Sequence, residues 1–281
     1  MRGRSVLEAV AVFSVIVAVQ YLVPGVSQLA RWETRVLGES YFLGLLTAAV
    51  PLMALVASKG SLEDYGLAVA DWRASLGRGL AGYLYLLPSN LVVFVTSLTW
   101  GGVAYLPVSV LASGVTLLSM FLALRHLSPG WGPKTRRDLA LVALLLGAPL
   151  ILSALYGSLR LRLASVVVWE LVLGGVAEEV LFRGYVQGRV NEEYGRPWSF
   201  MGVGFGPGLL VSSVLYGLAG AISGFRPWRD LYSFSLPVGV HGVALGLFLG
   251  FLREATGDIW AGSVANGLSG AVGRLVMRAG A

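Results

Sequence analysis

The chain has 281 residues, of which 56% are hydrophobic and only 13% are charged. Soluble domains carry about 25% charged residues, so this composition indicates a polytopic membrane protein. The formal net charge of +6 does not indicate a nucleic-acid partner, because the basic residues lie in loops between apolar runs. The absence of cysteine excludes disulfides and thiolate chemistry, and two histidines are too few for a typical zinc site. We expect no cofactor.

Apolar runs predict a single all-α membrane domain over residues 1–281, with about eight or nine transmembrane helices that enclose a polar cavity. Residues 1–160 would form N-terminal helices and residues 161–281 a C-terminal core. The first run lacks a convincing small-residue cleavage site and is interpreted as a retained helix. The predicted spans are 5–30, 41–58, 79–100, 103–124, 139–156, 163–184, 205–222, 236–252 and 259–277.

The lysine and arginine distribution predicts the orientation. A cytoplasmic N-terminus places the larger share of the 21 basic residues on the cytoplasmic side, including the basic segment 125–138. We expect the polar cavity to open toward that same side. A missed or additional span would reverse the assignments that follow it.

The sixth predicted span carries charged side chains in an otherwise apolar and small-residue run. Glu178, Glu179 and Arg183 lie past its middle, in the half that the predicted orientation places toward the cytoplasm. A charge at the bilayer centre costs about 2.5–3.5 kcal/mol, so such residues usually face a protein interior. Adjacent helical residues point about 100° apart. Arg183 follows Glu179 by four residues and can pair with it along one face, which leaves Glu178 as the freer carboxylate.

This arrangement has two interpretations. A poorly solvated carboxylate such as Glu178 can act as a general base on water, and donors near an oxyanion complete the groups needed for amide hydrolysis. Alternatively, Glu178, Glu179 and Arg183 form a structural ion-pair network that holds helices together. Residue types alone do not separate these alternatives.

Other carboxylates in this region have simpler interpretations. Glu170 precedes Glu178 by eight residues and could extend a polar cavity, or it could pair with Arg160 or Arg162. Residues 192 and 193 form a second glutamate pair, which is typical of a solvated helix face.

Residues 177–185, with the sequence AEEVLFRGY, resemble the first motif of the CAAX-protease and bacteriocin-processing (CPBP) membrane endopeptidases. This family of glutamate-dependent intramembrane proteases includes the type II CAAX prenyl endopeptidase. Residues 212–220 resemble its second motif and 250–260 the lead-in to its third, so the resemblance covers roughly 165–275. Upstream, residues 61–67 are similar to a segment common in the family.

The resemblance also shows where this chain departs from the family. The second motif normally reads aromatic-x-x-x-His, and here it has Tyr216 and Gly220. The third normally reads His-x-x-x-Asn or Asp, and here it has Asn266 and Gly270. The resemblance implies that Glu178 and the first histidine activate water, while the third motif donates to the oxyanion. Asn266 could still donate through its amide group.

His241 is a candidate to supply the missing imidazole. It lies at the start of the eighth predicted span, about 10 Å from Glu178 in depth, so contact requires different span ends. The alternative is a helix-end histidine that bonds to backbone or water. His126 lies in a basic loop and is expected to be solvated.

The leading hypothesis is a metal-independent intramembrane endopeptidase of CAAX-protease type. Glu178 would be the general base, Glu179 and Arg183 its support, and Asn266 an oxyanion donor. The substrate would be a hydrophobic or prenylated peptide or protein within the lipid bilayer. The alternatives are a catalytically inactive protein of the same fold that binds such a peptide or partner, and a small transporter that moves protons or cations.

Overall fold

The computed structural model describes residues 3–69, 71–126, 161–226 and 231–279. Within these ranges, four helices are long and apolar enough to cross a bilayer, and two shorter apolar helices accompany them. The protein is therefore an all-α, polytopic integral membrane protein. The predicted span 139–156 lies outside the described residues.

The N-terminal half consists of helices joined by short connections. The predicted single span 5–30 is wrong, because the chain forms two helices there with a break at Val23. Val23 is extended (ψ 109°) since it precedes a proline, and that proline occupies the first position of the next helix. These helices are α1 (Arg4–Leu22), the amphipathic α2 (Pro24–Leu37), α3 (Tyr41–Ala57), α4 (Trp72–Ser97) and α5 (Leu106–His126).

The C-terminal core begins with α6, one continuous helical run over residues 161–194. Two π-helical segments, Glu170–Gly174 and Val180–Val186, flank a short α-helical turn, Gly175–Glu179. Such π segments are rare and frequently lie at functional sites. The remaining core helices are α7 (Pro207–Ile222), α8 (Leu236–Thr256) and α9 (Trp260–Ala279).

Two small antiparallel hairpins join the core helices. The first pairs β1 (Trp198–Phe200) with β2 (Val203–Phe205) between α6 and α7, with Ser199 opposite Gly204. The second pairs β3 (Phe225–Arg226) with β4 (Leu231–Tyr232) between α7 and α8. Each has only two strands, and the first packs against α8, where the ring centres of Phe205 and Phe251 lie 5.0 Å apart.

Glycine allows the core helices to pack closely. A side chain at Gly217 of α7 would meet the backbone of Gly239 and Val243 of α8, so the two helices touch along their backbones. Small residues commonly serve this purpose in membranes, where apolar surface alone does not hold helices together. α4 packs against α9 and α5, while α1 and α3 pack against the second π segment of α6.

Residues 61–67 form a polar loop that is fixed to the core. Tyr65 is 1% exposed, and its hydroxyl donates to Glu192 Oε2 at 2.7 Å. The Arg253 guanidinium donates to the Asp64 carbonyl at 3.0 Å, and the Ile259 amide donates to the Gly66 carbonyl at 3.0 Å. The loop therefore connects α6, the end of α8 and the start of α9 at one end of the bundle.

Candidate functional site

The site lies where α6 crosses α9. Gly175 of α6 lies against Gly267 of α9, and a side chain at Gly175 would meet the Ser263 carbonyl and the Gly267 backbone. The two π segments surround this crossing on α6. Because the backbones approach so closely, a side chain one turn after Gly175 on α6 and one directly beside Gly267 on α9 can reach each other across the interface.

Glu178 is the centre of a small hydrogen-bonded group. Asn266 Nδ2 of α9 donates to Glu178 Oε2 at 2.9 Å, and the Tyr216 hydroxyl of α7 donates to the same oxygen at 3.2 Å. The Tyr216 hydroxyl also lies 3.5 Å from Asn266 Oδ1. The other carboxylate oxygen, Oε1, accepts no hydrogen bond from the described residues. Glu178 is half-buried and lines a cavity.

Glu179 and Arg183 form the ion pair that their spacing predicts. Arg183 Nη1 lies 2.9 Å from Glu179 Oε1, and both side chains are completely buried. Arg183 also donates from Nη2 to the Gly246 carbonyl of α8 at 3.3 Å. Its guanidinium lies 4.3 Å from the centre of the Tyr216 ring. Arg183 thus connects α6 with α7 and α8 directly behind Glu178.

The cavity beside Glu178 has a volume of about 200 Å³. It lies among the second half of α1, the start of α3, the middle of α6 and the end of α7. Its described polar lining includes Gln20, Glu39, Ser40, Thr47, Ser223 and Arg226, and its apolar lining includes Phe13, Ile16, Leu43, Leu173 and Leu181. A carboxylate with one unbonded oxygen therefore faces a space large enough for several waters.

The position of the cavity corrects one expectation. The N-terminus contacts the far end of α6, where the Gly3 and Ser5 amides donate to Glu193. The cavity is lined instead by the last turns of α1 and α7, at the opposite end of the bundle. The cavity lining therefore lies in the part of the bundle away from the N-terminus, beside Glu178 at the middle of α6.

α9 presents a stripe of four residues to the carboxylates of α6. A side chain at Gly262 would meet Glu179, and a side chain at Gly270 would meet Glu170. The glycines thus leave room for the carboxylates of α6, and polar residues alternate with the glycines along α9. The four stripe residues are Gly262, Asn266, Gly270 and Arg274.

Glu170 belongs to a second polar cluster that sequence reasoning missed. Its carboxylate contacts Arg274 at 2.8 Å, and Arg274 lies 3.4 Å from Glu39. The expected partners of Glu170 were different: Arg162 donates to the Thr34 carbonyl, and residue 160 lies outside the described residues. The sequence signal for this contact was the spacing of Arg274, which follows Gly270 by four residues and Asn266 by eight and so lies on the same face of α9.

His241 does not join the Glu178 group. α8 turns Gly239, Gly242 and Gly246 toward α7, and His241 lies about 200° around the helix from Gly239. It makes no hydrogen bond to Glu178 and does not line the cavity. Its Nδ1 atom is buried without a hydrogen-bond partner among the described residues. The structure thus brings Glu178, Glu179, Arg183 and Asn266 together and leaves His241 apart.

The Tyr216 hydroxyl is the second functional group that sequence reasoning missed, since Tyr216 was considered only as the aromatic residue of a motif. Gly220 follows it by one turn and leaves an open position: a side chain there would meet only Val238, at ordinary contact distance. No group of three or more potential metal ligands occurs within the described residues.

Comparison with known proteins gives one match. Residues 160–272 match the family model described as type II CAAX prenyl endopeptidase Rce1-like, and this region contains Glu178, Glu179, Arg183, Tyr216 and Asn266. No curated protein and no solved structure matches the chain. Over residues 160–272, this match confirms the resemblance to the CAAX-protease family that the sequence motifs indicate.

Proposed function

We propose that this protein is an intramembrane endopeptidase in which Glu178 activates water. The observation that carries the proposal is the unequal environment of the two Glu178 oxygens. Oε2 is held by Asn266 and Tyr216, whereas Oε1 accepts no hydrogen bond from the described residues and Glu178 lines the cavity. A general base needs such an accessible oxygen within hydrogen-bond reach of water.

The reaction follows from these groups. Glu178 Oε1 accepts a proton from a cavity water while the water oxygen bonds to the scissile carbonyl carbon. The carbonyl π electrons move to its oxygen. When the tetrahedral intermediate collapses, the carbon–nitrogen bond breaks and the proton held by Glu178 passes to the leaving nitrogen.

Asn266 is suited to donate to the developing oxyanion. Its amide nitrogen carries two protons, of which one is used by Glu178 Oε2, and the second is available to a substrate oxygen. Glu179 and Arg183 contribute indirectly: because each neutralises the other in a fully buried pair, Arg183 is fixed behind Tyr216.

The test compares Glu178→Gln with the wild-type protein in proteoliposomes. The substrates are an internally quenched CAAX peptide farnesylated on its cysteine and the same peptide without the farnesyl group. We expect Glu178→Gln to lower kcat by about 10²–10⁴-fold, as is typical for loss of a general base. Glu192→Gln is the matched control, since this glutamate of the same helix is half-exposed and far from the cavity. Equal cleavage by Glu178→Gln and wild type would refute the proposed role.

A non-catalytic function is the second candidate, and a specific observation favours it. Gly220 and Gly270 carry no side chain, and the space at Gly270 is occupied by Glu170. A protein that binds the farnesylated peptide but cleaves neither substrate would support this alternative.

A further inference from the structure

We propose that the Tyr216 hydroxyl is a positioning group that keeps Glu178 Oε2 engaged and so presents Oε1 to the cavity. This inference rests on the proposed function of Glu178. It concerns a contact that is made by the hydroxyl alone, since the aromatic ring of Tyr216 would remain in place without it.

The Tyr216 ring is held from two directions. The Arg183 guanidinium lies 4.3 Å from the ring centre, and the Phe182 ring meets it edge-on at 5.1 Å with an interplanar angle of 84°. Arg183 is itself fixed by Glu179 and by the Gly246 carbonyl. Because its neighbours restrict the ring, the hydroxyl remains directed toward Glu178.

The hydroxyl and Asn266 converge on one oxygen. Tyr216 donates to Glu178 Oε2 at 3.2 Å and Asn266 Nδ2 donates to it at 2.9 Å. A carboxylate with two donors on one oxygen and none on the other cannot exchange the roles of its oxygens without losing both bonds. The pair therefore fixes the carboxylate plane, which a single donor would leave free to rotate.

α7 offers one further position from which a donor could reach the site. Gly220 lies four residues after Tyr216, near the same face of α7. Its neighbours Ala219 and Ser223 line the cavity, and an added Cβ would lie 3.4 Å from the Val238 carbonyl, which is ordinary contact. A larger residue can therefore be introduced there without displacing the backbone.

The test is Tyr216→Phe in the proteoliposome assay with the farnesylated CAAX peptide. A hydrogen bond to a charged group corresponds to roughly a 10- to 100-fold effect, so we expect kcat to fall by about that factor with KM unchanged. Tyr185→Phe is the control, because Tyr185 is also a buried tyrosine of the core but packs against Tyr65. We expect Gly220→His in the Tyr216→Phe background to restore part of kcat.

The outcomes separate this inference from the proposed function. Inactive Glu178→Gln together with wild-type kcat for Tyr216→Phe would overturn the positioning role and leave the general base intact. Equal activity of Glu178→Gln and wild type would remove the proposed function itself. If Tyr216→Phe does not fold, 3,5-difluorotyrosine incorporated at position 216 keeps the ring and changes hydroxyl acidity. A changed kcat then supports the inference, and an unchanged kcat overturns it.

Discussion

The Glu170 carboxylate occupies the space beside Gly270 in which a larger residue would place its side chain. This carboxylate is 12% exposed and contacts Arg274 at 2.8 Å, so it is held in place and cannot easily move aside. A larger residue at position 270 and a glutamate at position 170 therefore cannot be accommodated together. α9 accepts the glutamate only because position 270 has no Cβ.

The first prediction follows from that fit. Gly270→Ala should lower the free energy of unfolding by about 1–3 kcal/mol, because the new methyl group displaces a fixed carboxylate. Gly273→Ala, on the same helix with open space around it, should be neutral or stabilising by up to about 1 kcal/mol. Thermal unfolding in detergent measures both. The double variant Gly270→Ala/Glu170→Ala should cost less than the sum of the single changes, and strict additivity would contradict the proposed contact.

The second prediction concerns the buried ion pair. Glu179→Gln removes one partner and leaves the Arg183 charge buried, which should destabilise the protein by about 3–5 kcal/mol. The Arg4–Glu8 pair has the same helical spacing, but the Arg4 side chain is 79% exposed. Arg4→Gln should therefore cost no more than about 1 kcal/mol. Chemical or thermal unfolding measures both variants. Similar losses of unfolding free energy would show that burial does not determine how much the Glu179–Arg183 pair contributes to stability.

The third prediction is a dependence on pH at the cytoplasmic end of α6 in the proposed orientation. Hydrogen bonds from Ser5 and Gly3 lower the pKa of Glu193 from its ordinary value of 4.5 to about 2. A lowered pKa means that the contact stabilises the fold above about pH 4.5 and that this contribution disappears as pH falls toward 2.

The measurement is the difference in Tm between wild type and Glu193→Gln across this range. The wild-type protein should melt at the higher temperature at pH 7, and the difference should vanish near pH 2. Because the comparison is made at each pH, other titrating carboxylates affect both proteins equally. A Tm difference that grows as the pH falls would contradict the lowered pKa of Glu193.

The fourth prediction concerns sidedness. The loop 61–67 and the hairpin β3–β4 lie at opposite ends of the bundle, the hairpin beside the cavity. Since the natural chain has no cysteine, single cysteines at Glu63 and Tyr232 can be labelled without background. A membrane-impermeant maleimide applied to sealed, oriented vesicles should label the two positions from opposite sides, with Glu63→Cys on the cytoplasmic side if the N-terminus is cytoplasmic. Labelling of both from one side would contradict this topology.

Much of the site could be predicted from local spacing. The Glu179–Arg183 pair follows from the four-residue separation, and the freedom of Glu178 follows from the angle between adjacent residues. Asn266 was identified through the family resemblance, since no spacing rule connects residues 88 positions apart. The structure shows that it reaches Glu178 because Gly175 and Gly267 allow α6 and α9 to touch.

The remaining features depend on geometry that a regular helix does not have. The π segment Glu170–Gly174 has more residues per turn than an α-helix, so a 100° step no longer gives the direction of Glu170 relative to Glu178. The direction of the Glu170 side chain could therefore not be derived from regular helix geometry, although the spacing of Arg274 from Asn266 was a signal for its partner on α9. The break at Val23 was missed for another reason: the apolar run continues through it, although the following proline was a visible signal.

The loop that carries Tyr65 has a consequence for how the bundle can change shape. It ties α6, α8 and α9 together at the end that lies away from Glu178, whereas the opposite end contains the hollow between α1, α3 and α7. Admission of a peptide between α1, α3 and α7 would break the hydrogen bonds that Gln20 donates to Thr47 and Tyr21 donates to the Ile222 carbonyl, while the contacts of the loop could persist. A substrate would then enter sideways, between helices, and the end of the bundle that is joined by the loop 61–67 could stay fixed throughout a turnover.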